Sequence, residues 1–363
     1  MTVTENGSSE DNKFLDSEFR YTLFPVFYSL VFILGLTGNC CALFVLRKMR
    51  EAKAINEIRI YMTNLTVADL LFVTALPLWI SYYKEHGHWA FSDALCRITG
   101  SMFFINTYCS ILFLTVISFN RYWAVTQPLD AASCDHRRRG IVVSVVIWAT
   151  TLSASIPYLV FPGINEHNET GVNIIRCFEG YQNETKEQKW WVAKTHFVII
   201  GFFALVFLLV VICNLLIGRT LMLQQMNKAG RQGWRLKKHA LSMVCVVVVV
   251  FVVCFVPHHV VQGPWTMAVL GLTHWAEDTQ QWLNNVHQIT LMLMGLNCLL
   301  DPVVYCFATR KFRRYICDHF RKLSRGRMCS RYTASTRASM DSQQHNQIIN
   351  QVQLRSIEDA PKW

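Results

Sequence analysis

The sequence predicts an all-α membrane protein: a bundle of seven transmembrane helices followed by a short amphipathic helix. Three observations predict it. Of 363 residues, 52% are hydrophobic and only 16% charged, against about 25% charged in a typical soluble domain. The apolar residues gather in seven runs, each at least about 20 residues long and so able to cross roughly 30 Å of hydrocarbon as a helix. The basic residues fall in alternate connections between those runs, as a chain weaving through a membrane requires.

In order, the runs are Leu23–Leu46, Ile60–Tyr83, Leu95–Val125, Ile141–Phe161, Trp190–Ile217, Ala240–Trp265 and Trp282–Phe307. Backbone polar groups in lipid must be satisfied internally, so each run is read as a helix. One or two would pass for buried core; seven in series make a transmembrane domain over residues 22–308. The segments Arg47–Arg59, Arg121–Arg139, Arg219–Lys238 and the tail from Arg310 hold 5, 4, 6 and 12 Lys/Arg, against 7 in the N-terminus and the other three connections. The positive-inside rule therefore puts residues 1–21 outside, as an acidic, polar tail, and the C-terminus in the cytoplasm. No cleavable signal segment is evident, so the first helix is its own insertion signal. The net charge of +11 lines an inner membrane face, where anionic lipids and a cytoplasmic partner meet it; nucleic acid is not an expected partner.

Residues 309–321, with Arg310-Lys311-Phe312-Arg313-Arg314-Tyr315-Ile316 and Phe320, read as an amphipathic helix on the inner leaflet. Residues 322–363 read as a disordered, Ser/Thr-rich cytoplasmic tail open to kinases. Cys317 and Cys329 are candidate palmitoylation sites, or free thiols. Sequons at Asn6, Asn168 and Asn183 all fall on the expected outside; a fourth, at Asn64, lies within a helix and should be inaccessible. Of 13 cysteines, Cys96 and Cys177 stand out as reaching the outer face, where an oxidising exterior lets them pair. The others read as small apolar core residues.

Two acids stand inside apolar runs, Asp69 in the second and Asp301 in Asp301-Pro302-Val303-Val304-Tyr305 of the seventh. A carboxylate in hydrocarbon costs roughly 2.5–3.5 kcal/mol on insertion scales, so it normally faces a bundle interior and marks function. Other landmarks follow in order: Gly38-Asn39, Asn64-Leu65-Thr66-Val67-Ala68-Asp69, Asn120-Arg121-Tyr122, Trp148 and Cys254-Phe255-Val256-Pro257. With N-out topology this ordered set, over residues 22 to 320, resembles the rhodopsin-like (class A) G-protein-coupled receptors. The segments at Asp16–Pro25, Phe103–Ser110, Cys254–Gln262 and Asp301–Phe307 are similar to family members whose agonist is a phospholipid, an acetylated ether phosphocholine.

The resemblance implies no enzyme activity, a plasma-membrane location, coupling to heterotrimeric G proteins with phosphoinositide and calcium signalling, and arrestin and receptor kinases at the tail. It implies an activation set of Asn120, Arg121, Tyr122, Phe255, Pro257, Pro302 and Tyr305. The chain departs from the pattern there: Asn120 replaces the usual acid and Lys237 stands where many relatives carry another, so Arg121 lacks both customary carboxylates. Pro257 removes a helix hydrogen bond and kinks the sixth helix. The resemblance also implies that Asn39, Asp69, Ser110, Asn297 and Asp301 converge as an allosteric sodium site; a purely structural hydrogen-bonded network is the other reading. No cofactor is expected beyond that ion.

His196, His258, His259, Gln262, Gln288 and Thr290 lie at similar depth in three apolar helices. A lone histidine would be a satisfied core residue, but a convergent cluster reads as a pocket, with Trp79, Phe103, Phe104 and Trp265 as apolar lining. A metal site is a poorer reading, because consecutive helix residues point about 100° apart. No Lys lies between Trp282 and Phe307, which excludes a retinal Schiff base. No acid lies between Cys96 and Asn120, which removes the usual counter-ion for an amine ligand. Aromatic faces suit a choline head, and Glu179 and Tyr181 are candidate lid residues. The alternative ligands are another lipid or a chemotactic peptide. A transporter would show internal repeats, and none is apparent.

Overall fold

The computed structural model describes residues 17–48, 57–127, 136–169, 172–179, 186–226, 245–273, 275–308, 312–317 and 321. Among them, seven helices are long and apolar enough to cross a membrane. They are α1 (Glu18–Lys48), α2 (Glu57–Lys84), α3 (Asp93–Thr126), α4 (His136–Val160), α5 (Lys186–Met226), α6 (Cys245–Val269) and a seventh in two pieces, α7 (Glu277–Gly295) and α8 (Asn297–Ala308). Most extend beyond their apolar runs, because the end turns carry polar residues; α4 stops at Val160, one residue short of its run, and the described part of α6 begins at Cys245. The start of α3 shows the local logic: Ser92 caps it, its hydroxyl accepting from the Leu95 N–H at 3.4 Å, and Asp93 complements the helix dipole.

Packing is set by close approaches and a few buried polar bonds. At Gly35 of α1 an added Cβ would lie 3.1 Å from Val73 of α2, so glycine admits the contact. Trp148 of α4 donates from Nε1 to Asn64 of α2 at 3.0 Å, which places the fourth sequon inside the bundle. Near its middle α6 widens into a π turn, Phe251–Phe255, closed by the Val256 N–H on the Phe251 carbonyl. The proline one residue further on, Pro257, has no N–H to continue the four-residue pattern. Leu296 separates α7 from α8, and the Asn39 amide of α1 donates to the Cys298 carbonyl beside that break at 2.8 Å.

Between α4 and α5 the chain forms a hairpin that the apolar pattern does not announce: β1 (Ile164–Glu169) pairs antiparallel with β2 (Val172–Cys177), from Ile164↔Cys177 to Glu169↔Val172. Cys177 is bonded to Cys96 at the start of α3, with Cα atoms 5.8 Å apart. Phe178 then takes a left-handed φ of 54°. Its ring occupies the space that a Cβ on Gly100 would need, so only glycine fits at 100. The hairpin is also tied to α1. Buried Arg20 donates to Glu179 from both Nη atoms, at 2.8 and 3.2 Å, and Arg176 approaches the same carboxylate at 3.5 Å.

Residues from Arg310 onward form a separate unit. Its residues 312–317 are helical, with Phe312 buried and Arg313, Arg314 and Cys317 exposed. Asn6, Tyr181, Asn183, Lys237, Cys329 and the tail 322–363 lie outside the described residues, as does the Asn168 side chain at the far end of β1.

Candidate functional site

Three polar layers run through the bundle, from the disulfide end to the Arg121 end. In the first, His258, His259 and Gln262 of α6 and Gln288 and Thr290 of α7 are all buried. Thr290 donates its hydroxyl proton to the His287 carbonyl at 2.7 Å, so at 3.3 Å it accepts from His258 Nδ1. His259 donates from Nδ1 to the Phe255 carbonyl at 2.8 Å, which leaves Nε2 to accept from the Tyr108 hydroxyl of α3 at 3.2 Å. Those hydrogen positions follow from the network. Phe203 stacks on the His259 ring at 3.8 Å. His196 of α5 bonds Thr266 of α6 at 2.8 Å. Among the described residues, two carbonyl oxygens, Gln262 Oε1 and Gln288 Oε1, are buried without a donor, and His287 Nδ1 is buried without a partner. A buried polar atom left unpaired is expensive, so these atoms are what an incoming ligand can satisfy.

The expected lining divides. Phe104 packs on Tyr108 at 4.5 Å and so reaches His259 through it. Trp265 stacks on His287 at 3.8 Å and donates to Asn284. Trp79 and Phe103 pack instead into a neighbouring core with Phe72, Tyr82, Tyr83 and Trp89, although Trp79 Nε1 is a buried donor with no acceptor among the described residues. Glu179, a candidate lid residue, is held by Arg20 and Arg176. An open cleft of about 560 Å³ lies elsewhere, on the flank of α6 and α7, lined by Val260, Pro264, Trp275 and Trp282 among others; no member of the polar cluster faces it.

In the middle layer Asn39, Asp69, Ser110, Asn297 and Asp301 are fully buried. Asn106 joins them: its amide donates to Asp69 at 2.9 Å and its oxygen accepts from Asn297 at 3.2 Å, while Asn297 also donates to Ser110 at 2.9 Å. Asp69 and Asp301 are the two carboxylates of this layer. Asp69 Oδ2, both Asp301 oxygens, Asn39 Oδ1 and Asn297 Oδ1 have no N–H or O–H donor among the described residues. An oxygen-only donor set around two carboxylates fits a hard cation such as sodium, or a proton shared by the acids. Tyr305 meets Thr66 at 3.1 Å just beyond.

At the third layer Arg121 is half-buried near the end of α3. Asn120 donates to Glu57, in the first turn of α2, and Glu57 is also bonded by His136 and Arg139 of α4.

Sequence reasoning did not single out Asn106, His287, Thr266 or Glu57. Asn106 precedes Ser110 by four residues and so shares its helix face, a signal that was there to use. His287 adjoins Gln288. Glu57 sits in a basic connection and reads there as an ordinary solvated charge.

Comparison with known proteins agrees with this layout. Residues 38–305 match the model of the 7 transmembrane receptor (rhodopsin family). The chain is 45% identical over 330 residues to a platelet-activating factor receptor of Homo sapiens, covering 90% of this chain and 94% of that protein. It is 46% identical over 328 residues to the same receptor of Cavia porcellus, with 90% and 94% covered. A lysophosphatidic acid receptor 6 of Gallus gallus is 34% identical over 318 residues, with 85% and 94% covered. A family model that spans most of the bundle and relatives matched almost end to end make this chain a member of the rhodopsin family of seven-transmembrane receptors.

Proposed function

We propose that this receptor binds platelet-activating factor, an acetylated ether phosphocholine, and passes agonist binding to heterotrimeric G proteins. The relatives at 45–46% identity carry that ligand in their names. The observation that carries the reading on this chain is the first polar layer. Its histidines are partners in hydrogen bonds, its two glutamine carbonyls are unsatisfied among the described residues, and aromatic rings stack on His259 and His287. Such a site offers hydrogen bonds and π faces without a fixed charge, which suits a zwitterionic head better than an amine or an anion.

Competition binding on membranes tests it. Truncating one partner of a buried hydrogen bond costs about 1–3 kcal/mol, roughly tenfold in affinity. His259→Ala and Gln262→Ala should each weaken the acetylated agonist by about that factor at unchanged surface expression, and the lyso form should bind the wild type poorly. Equal affinity for acetyl and lyso ligands overturns the assignment.

The same reading places the N-terminus outside, with Asn6, Asn168 and Asn183 as glycosylation sites. It places the tail in the cytoplasm, where Cys317 and Cys329 are lipid acceptors and arrestin and receptor kinases act. It also gives Asp69 and Asp301 a sodium ion whose binding favours the resting bundle. Asp69→Asn should abolish the effect of sodium on agonist affinity and impair signalling in a receptor that still folds. Agonist binding that responds to sodium equally in variant and wild type would reduce the acids to a structural role.

A further inference from the structure

We propose that Glu57 is a positioning residue for G-protein coupling: from α2 it supplies the negative charge that Asn120 lacks, and its bond to Asn120 holds the end of α3 in the resting arrangement. This rests on the G-protein reading above.

The geometry is specific. Glu57 is fully buried in the first turn of α2. Three polar groups from two other helices converge on its carboxylate: Asn120 Nδ2 of α3 on one oxygen, and His136 Nδ1, at 3.0 Å, and Arg139 of α4 on the other. Arg139 is held from behind by the Trp123 ring of α3, its guanidinium carbon 4.1 Å from the centroid. The start of α4 can come this close because residue 140 is glycine. A Cβ there would lie 2.8 Å from the Ile60 side chain and 3.4 Å from Glu57 Cα.

A buried carboxylate is unfavourable unless several donors compensate it, and hydrogen bonds to an ionised acceptor are the stronger kind. One acid therefore ties α2, α3 and α4 together at the end of the bundle that carries Arg121. Asn120 is the residue before Arg121, so whatever fixes Asn120 fixes the backbone from which Arg121 projects. In the resting bundle the negative charge beside Asn120 thus comes across the helix interface and not from α3 itself. Activation that moves the end of α3 must stretch the Asn120–Glu57 bond, and this makes the bond a brake.

The test measures nucleotide exchange on a heterotrimeric G protein in membranes holding equal amounts of full-length receptor. Wild type with and without platelet-activating factor is the control for the underlying reading: no agonist response there rejects the G-protein or ligand assignment and not the brake. Glu57→Gln should raise agonist-free exchange at least about fivefold, the lower end of typical allosteric coupling, and tighten agonist binding, since coupling is reciprocal. Adding Asn120→Asp to Glu57→Gln should bring both back to wild-type values. The new carboxylate on α3 accepts from the amide introduced on α2, so the hydrogen bond survives with the charge moved onto α3. A merely structural acid gives a different pattern, with exchange and surface expression falling together and no rescue. If Glu57→Gln fails to reach the membrane, Asn120→Ala removes the tie while leaving Glu57 paired with His136 and Arg139. It too should raise agonist-free exchange, and unchanged exchange in that variant overturns the proposal.

Discussion

Cys96→Ala and Cys177→Ala should each remove ligand binding and most of the receptor from the cell surface. The bond joins residues 81 apart, and in the chain-entropy model closing a loop of that size is worth about 4–5 kcal/mol. Folded domains are commonly stable by only about 5–15 kcal/mol, so the loss is a large fraction. The local consequences add to it. Cys177 ends β2, and the next residue, Phe178, holds its strained φ only because its ring is seated against Gly100 and Gly163 and its N–H reaches the Gly163 carbonyl at 2.7 Å. Without the bridge nothing covalent ties that turn to the start of α3. Surface labelling and radioligand binding check the prediction; normal values in both single variants would show the bridge to be dispensable.

Arg20→Met should be nearly as damaging. Arg20 is fully buried at the start of α1, and Glu179, its partner at 2.8 Å, is largely buried too. Removing one member of a buried ion pair typically costs about 3–5 kcal/mol, and Arg176, at the longer distance of 3.5 Å, makes up only part of that loss. The double variant Arg20→Met with Glu179→Gln should be no more stable than Arg20→Met alone, since it takes the carboxylate away from buried Arg176, 3.5 Å from it. Thermal unfolding of purified receptor, followed by thiol exposure at the buried cysteines, separates the two. A double variant clearly more stable than the single would mean that Arg176 draws nothing from Glu179 and that Arg20 alone neutralises the carboxylate.

How much of this was legible in the sequence differs from element to element. The helices announce themselves because hydrocarbon demands long apolar runs, but their ends do not. Helix α5 extends over Lys186–Met226, well past Trp190–Ile217, because helical hydrogen bonding continues through Gln and Arg residues that end the apolar run. The hairpin has no alternating pattern: Ile-Asn-Glu-His-Asn-Glu of β1 gets its order from backbone pairing and from anchors distant in sequence. The middle layer was readable because an acid in an apolar run is costly unless it turns toward a polar interior. Its bridging residue, Asn106, is uncharged and hides among the polar residues that helices in lipid tolerate. In the first layer the histidines were evident, but their partners were not. Tyr108, Thr266 and Phe203 look like ordinary helix residues until three helices bring them to His259 and His196. Glu57 was obscured by its setting, since an acid among arginines is usually solvated.

The wide turn at Phe251–Phe255 sets the phase of everything beyond it in α6. In a regular α-helix an added residue would rotate everything beyond it by about 100°, and the wide turn absorbs that residue within one turn. His258 and His259 are buried while Val260 is 66% exposed. Were the wide turn closed to a regular α turn with no residue lost, each residue beyond it would advance by one place, and His259 would take the exposed place of Val260. Which α6 side chains face the first polar layer is thus indexed by the turn that precedes them, and the two halves of α6 keep their relative phase so long as that turn keeps its extra residue.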